Sequence, residues 1–303
     1  MAEAVNSLVA FSDHVALLVE RASASVVAVH GGSRWPSSGV HWRSGVIVTA
    51  EEVLERDDEL TVTLPGGRKI AASLAGRDPS TDVAVLRIEP QSLPIAATAD
   101  AGLLRPGHVI LAVGSFEGAP AASFGLVGFV GSAWQSLRGG TIDSLLRLDL
   151  ALDARAEGGA VVDSRGRVIG MAVSGPRRRV LAIPTATIDR AVDQLLAKGY
   201  VSRGYFGAGL RHVRLARQPN RTQPREREHG LLIVNIDPDG PAARAGLLVG
   251  DIVMAWNAQP LTHVREVMRL LGPDSVSKTV DLQLLRGGEP KALKIVTGER
   301  PLA

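Results

Sequence analysis

Asp153-Ala154-Arg155-Ala156-Glu157-Gly158-Gly159-Ala160 separates two apolar runs, residues 145–152 and 161–174. A Gly-Gly pair on a tight turn between buried strands serves where backbone amides must approach a reacting atom and adopt φ values that other residues resist. The position before the pair is where an attacking hydroxyl belongs, and it is Glu157. The stretch reads as a nucleophile loop that lacks its nucleophile.

Working outward, short apolar runs are punctuated by turn residues. Strands are predicted at 25–30 before Gly31-Gly32, at 40–42, 46–49, 60–64 before Pro65-Gly66-Gly67, and at 83–88, with a crossover at 93–98. A second series follows at 109–113, 124–130, 145–152, 161–173 and 180–183. Regular strand spacing with little helix points to closed barrels rather than a βα alternation. The spacing of apolar residues predicts an amphipathic helix over 7–21 and another over 186–198, with Thr185 as N-cap and Gly199 at the end. Residues 211–229, rich in Arg and holding two prolines, read as an exposed loop, with a basic patch for an anionic partner as the sharper alternative. Strands at 230–236, 252–256, 280–285 and 291–297, with helices at 241–246 and 263–271, complete a compact third unit. The fold class is therefore mainly β: an N-terminal helix (1–24), a double β-barrel (25–199, halves 25–98 and 99–199) and an α+β domain (200–303) that includes the basic loop.

The chain of 303 residues is long enough for several cores, and 45% apolar content with a mean hydropathy of +0.13 fits folded domains. There is no cysteine, so no disulfide argues for an oxidising compartment. A net charge of +3, carried mostly by scattered Arg, gives no ground for a nucleic-acid partner. The start lacks a cationic segment followed by an apolar core, and no run of about 18 apolar residues spans a bilayer. The expected location is cytoplasmic, or periplasmic if a leader was removed. No cofactor is expected.

Several stretches together resemble the HtrA (Deg) family of trypsin-like serine proteases with a C-terminal PDZ domain. Gly45-Val46-Ile47-Val48-Thr49 is similar to the strand leading to the catalytic histidine, and Gly76-Arg77-Asp78-Pro79-Ser80-Thr81-Asp82-Val83-Ala84-Val85-Leu86 to the segment carrying the catalytic aspartate. Leu104-Arg105-Pro106-Gly107, Glu157-Gly158-Gly159-Ala160-Val161-Val162-Asp163 and Ala182-Ile183-Pro184 extend the likeness. The resemblance implies a trypsin-like double β-barrel. It also implies that Asp82 is the triad aspartate, that Glu52 stands at the histidine position, and that Glu157 stands at the serine position. Gly158 is implied as a remnant of the oxyanion region.

Serine attack needs a base, an orienting group and amides for the oxyanion. Two carboxylates in place of base and nucleophile lead to the expectation of a pseudoprotease, not an enzyme, that binds peptides as a scaffold, regulator or subunit partner. Two alternatives stand beside it. One is an active serine endopeptidase with displaced residues, Ser164 and Ser174 being near in sequence while His30, His41 and His108 read as strand or turn residues. The other is a cation held by Glu52, Asp82 and Glu157, with Arg155 or a shared proton as other ways to neutralise them.

In the C-terminal unit, Gly230-Leu231-Leu232-Ile233 resembles the PDZ carboxylate-binding loop, and Ala243-Arg244-Ala245-Gly246-Leu247 with Gly250-Asp251-Ile252 a PDZ signature. Val264, Val267, Met268 and Leu271 are expected to line the side-chain pocket. The implied partners are protein or peptide C-termini with a small apolar end, and a homo-oligomer, with the family's trimer in view.

Overall fold

The structure, a computed structural model, describes residues 2–136, 138–215 and 229–300, with side chains of the first helix described from residue 6. Most of the expected basic loop, 216–228, lies outside the described residues. The chain divides into two compact units, Met1–Val201 and Ser202–Ala303.

Unit 1 opens with helix α1 (Ala2–Ser23). Its inner face enters the core through the buried Leu18 and Ala22, while Leu8, Phe11 and Leu17 stay exposed. Seven strands follow: β1 (Val26–His30), β2 (Ser37–Arg43), β3 (Val46–Thr49), β4 (Thr61–Thr63), β5 (Lys69–Ala71), β6 (Ser73–Asp78) and β7 (Val83–Arg87). They form one sheet in the order β5-β4-β1-β2-β3-β7-β6. Val26 to Val29 are buried on both faces, the pattern of β-branched residues in a central strand.

The second half contains β8 (Val109–Phe116), β9 (Ala119–Gly131), β10 (Trp134–Gln135), β11 (Thr141–Ile142), β12 (Leu145–Asp149), β13 (Ala160–Asp163), β14 (Val168–Gly175) and β15 (Arg179–Pro184). Hydrogen bonding closes β12-β15-β14-β13-β8-β9 into a barrel, and β10 and β11 pair as a separate hairpin. The crossover is an extended tie between the halves: Ala96 N–H donates to His41 C=O (2.9 Å) and Ala99 N–H to Val168 C=O (2.8 Å). Helix α2 (Thr185–Lys198) closes the unit and ends at Gly199, whose φ of +82° suits a glycine cap. Thr185 is not the N-cap. Pro184 takes that place, and the Thr185 hydroxyl donates to Ala99 C=O (3.0 Å).

Unit 2 holds β16 (Gly204–Tyr205), β17 (Ala208–Arg214), β18 (His229–Ile236), α3 (Pro241–Arg244), β19 (Ile252–Trp256), β20 (Gln259–Pro260), α4 (Val264–Leu270), β21 (Thr279–Arg286), β22 (Glu289–Val296) and β23 (Gly298–Glu299). Its main sheet runs β17-β18-β19-β21-β22, so β17 and β22 are edges. Residues 211–214, expected in the exposed loop, belong to edge strand β17. Phe206, Leu231, Ile233, Trp256, Val267 and Leu282 centre a separate core.

Candidate functional site

In unit 1, β3 ends at Thr49, whose hydroxyl donates to Ser38 C=O (2.7 Å), and a single helical turn, Glu51–Val53, follows. A buried ion pair clamps that turn. The Glu51 side chain, 7% exposed, accepts from Arg77 Nε (2.8 Å) and Arg138 Nη1 (3.2 Å). Arg77 also donates to Leu54 C=O (3.0 Å) and to Asp57 (2.7 Å). Sequence reading passed over Glu51 and Arg77; they are 26 positions apart and only the fold pairs them.

Glu52 projects into solvent, 3.7 Å from Arg138 Nη2. Its backbone N–H donates to Asp82 Oδ1 (3.0 Å), so the loop meets Asp82 through the main chain. Asp82, at φ +57°, is half-buried, and loss of water is the largest reason its carboxyl is pushed up to about 7. The negative charges of Glu52 and Glu157 push the same way, against the amides of residues 52 and 51.

Glu157 turns along the barrel wall, its Oε1 accepting from Ser174 N–H (2.7 Å) and its carbonyl from Ser38 N–H (2.9 Å). Gly158, φ +79°, has room for no side chain: a Cβ would lie 2.4 Å from Ser38 C=O and 2.5 Å from Thr49 Oγ1. Its N–H donates to Ala172 C=O (2.8 Å) and that of Glu157 to Ala154 C=O (3.3 Å). The amide of Gly158, expected as a remnant of the oxyanion region, is thus committed inside the barrel. Arg155 does not neutralise Glu157: Asp153 binds it through two oxygens (2.8 and 2.9 Å), and the guanidinium stacks on Phe116 at 4.6 Å. The Arg155 side chain and amide hold the Asp153 carboxyl down at about 2.

Glu52, Glu55, Asp153 and Glu157 line a cavity of about 450 Å³ with Ser33, Trp35 and Ser37, while Asp82 lies outside its lining. The three acids do not assemble as a cation site. Among the described residues no group of three or more His, Asp or Glu is arranged to hold a metal. His30 bonds Thr63 (2.9 Å), His41 is buried against Pro94 C=O (2.9 Å), and His108 sits in a turn, so none reaches this cleft as a base. Ser164 and Ser174 are exposed.

In unit 2 the structure moves the expected binding segment. Gly230-Leu231-Leu232-Ile233 lies in β18, the second strand of the sheet, paired with β17 on one side and β19 on the other. Ile233 N–H, for example, donates to Asp251 C=O (2.8 Å). An interior strand has no free amide row to offer a ligand, which corrects the sequence reading. Among the described residues the free row belongs to β17, entered through Tyr205-Phe206-Gly207. There Phe206 is buried, its carbonyl accepts from Ala242 N–H (2.9 Å), and Gly207 holds φ +76°. The signal available in the sequence was an aromatic pair flanked by Gly204 and Gly207 just before an alternating strand.

Helix α4 packs against β17. Met268 is 39% exposed, Val264 and Leu271 are partly covered, and Val267 is core, so Val267 is corrected as a pocket residue. The signature turn is tied by Asp251, buried and bound to Arg286 through two nitrogens (2.8 and 2.7 Å).

Residues 37–171 match the trypsin-like peptidase domain family and residues 207–297 the PDZ domain family. The serine endoprotease from Yersinia pestis superposes with a TM-score of 0.74 at 30% identity, covering 94% of this chain and 97% of that one. The chain belongs to the HtrA/DegP-like family. The HtrA-type protease AlgW, solved with a decapeptide, gives a TM-score of 0.75 at 25% identity over 95% of this chain and 99% of that one. Proteins named probable periplasmic serine endoprotease DegP-like from Halomonas elongata and a Marinomonas species are 32% and 31% identical over 268 residues, 85% of this chain and 55% of each relative. The chain thus spans about half the length of the curated relatives it matches.

These likenesses correct the expectation of a non-enzyme, because the relatives are named endoproteases and the structural neighbours are proteases. That expectation rests on two substituted positions, whereas the likeness runs through both units. The cytoplasmic location is not supported either, as the relatives are named periplasmic. Among the described residues no helix is long and apolar enough to cross a membrane.

Proposed function

We propose that this HtrA-family chain captures polypeptide segments, laying an extended, apolar-ended C-terminus along the free edge of β17. The observation that carries the reading is that edge: a strand unpaired on one side, entered through a glycine loop and faced by α4 with the exposed Met268. Added-strand recognition draws affinity from main-chain hydrogen bonds and selectivity from alternate side chains. Calorimetry with the full chain and a decapeptide ending in Val tests it. Binding that disappears when the peptide is amidated supports the reading, and no binding by any apolar-ended peptide removes it. In this role the chain serves as scaffold, regulator or subunit partner for the segments it holds.

A second reading, serine endopeptidase activity at displaced residues, is favoured by the names of the relatives. Ser33 and Ser37 line the cleft cavity and Ser174 holds Glu157 by its amide. Casein cleavage with fluorophosphonate labelling of one of these serines would establish it, and absence of both would remove it.

Self-association and a periplasmic location complete the proposal. Leu8, Phe11 and Leu17 of α1 and Phe124, Leu126 and Phe129 of β9 are exposed, with Phe11 set edge-on to Phe124 at 5.9 Å, an apolar surface suited to a second copy. Sedimentation should show an oligomer, a trimer being the family expectation, that Phe11→Glu dissociates.

A further inference from the structure

Three of the chain's seven histidines meet beside the edge on which the proposed peptide lies. His212 of β17 and His229 of β18 approach at 3.0 Å between Nε2 and Nδ1, with rings stacked at 5.2 Å. His263, the residue before α4, stacks on the other side of His212 at 5.5 Å. Strand edge, neighbouring strand and facing helix each contribute one imidazole to a single cluster.

The charges around it are mostly of one sign. Arg211 and Arg214 lie on β17, and Arg265 and Arg269 on α4. Glu266 is the acid on these two elements, and its carboxylate is turned into the start of α4, accepting from Thr262 N–H (2.6 Å), Thr262 Oγ1 (2.9 Å) and His263 N–H (3.1 Å). Among the described residues the cluster is not arranged to hold a metal. Loss of water, then His229, His263 and Arg214, hold the His212 imidazole below its ordinary range. Stacked imidazoles that repel one another's protons become stable donors when a carboxylate arrives to share them.

We propose that His212, His229 and His263 form a subsite for an acidic side chain, so that the preferred peptide carries Glu or Asp upstream of its apolar C-terminus. The inference rests on the edge-docking reading. It makes capture pH-dependent: an arriving carboxylate raises the proton affinity of the cluster, and binding takes up a proton near neutrality.

The test uses the full chain and two tetramethylrhodamine-labelled decapeptides with the same free apolar C-terminus, one with two Glu upstream and one with two Gln. Glu stays ionised down to about pH 5, so between about pH 5.5 and 8 the peptide carboxylates keep their charge. The Glu peptide is expected to bind about tenfold tighter than the Gln peptide at the lower pH, the ratio shrinking to about twofold at the higher. H212Q/H263Q, checked for folding by circular dichroism, is expected to bind both peptides alike at both pH values. Independently of any variant, calorimetry of the parent in two buffers of different ionisation enthalpy should show proton uptake for the Glu peptide alone. Equal affinities for the two peptides, or equal proton uptake, overturn this inference while leaving edge docking intact. Binding of neither peptide overturns both.

Discussion

The cleft around Glu157 and the edge of β17 depend on side-chain identity to different degrees. Acyl transfer needs particular atoms on particular side chains, whereas adding a strand needs only unpaired main-chain groups. In the cleft Gly158 has a positive φ, and Asp82 accepts the amide of residue 52. On the edge, the groups that matter are main-chain and do not change with the side chains. Whole-chain likeness therefore speaks directly to fold, while chemistry has to be read residue by residue.

The contrast can be broken first at Gly158. Gly158→Ala places a Cβ against Ser38 C=O and forces a left-handed φ on alanine, so thermal unfolding should show unit 1 destabilised by about 3 kcal/mol or more. Peptide affinity at β17 should be unchanged. Arg77→Ala comes next: it leaves the buried Glu51 carboxylate with the longer Arg138 contact in place of its main partner and should cost about 2 kcal/mol, which chemical denaturation would register. Glu51→Gln in the same chain should recover part of that loss.

Asp82 sharpens the comparison through pH. With its folded value raised to about 7, the folded chain keeps a proton that the unfolded chain has already released, so this group's contribution falls as pH rises from the ordinary carboxylate range toward 7. Asp82→Asn, which keeps the acceptor for the amide of residue 52, should melt higher than the parent at about pH 8 and lose that advantage near pH 5. The smallest effect on stability is expected on the docking side. Met268→Glu should change stability by no more than about 0.5 kcal/mol yet weaken an apolar-ended peptide about tenfold, as read by fluorescence anisotropy.

Much of the architecture was visible in the sequence because strand alternation, turn glycines and ordered motifs are local or nearly so. The expectation that Glu52, Asp82 and Glu157 stand at the family's catalytic positions came from the resemblance, and could be stated from the sequence. Their partners could not. Glu157 goes to the amide of Ser174 and Glu51 to Arg77, choices set by which segments the fold brings together, while Arg155 turns to its neighbour Asp153. The same limit misplaced the docking edge. An apolar run such as Leu231-Leu232-Ile233 says strand, but only the pairing of β18 with both β17 and β19 says that the strand is interior. The histidine cluster was hidden for a similar reason, since its members come from three elements and 51 positions of sequence, from His212 to His263.

Amide hydrogen exchange of the full chain, with and without a saturating decapeptide ending in a free apolar residue, tests the docking edge most directly. Slowed exchange at alternate amides of 208–214, with 230–236 already protected and unchanged, is the expected result. Unaltered exchange at 208–214 while the peptide is bound would contradict it.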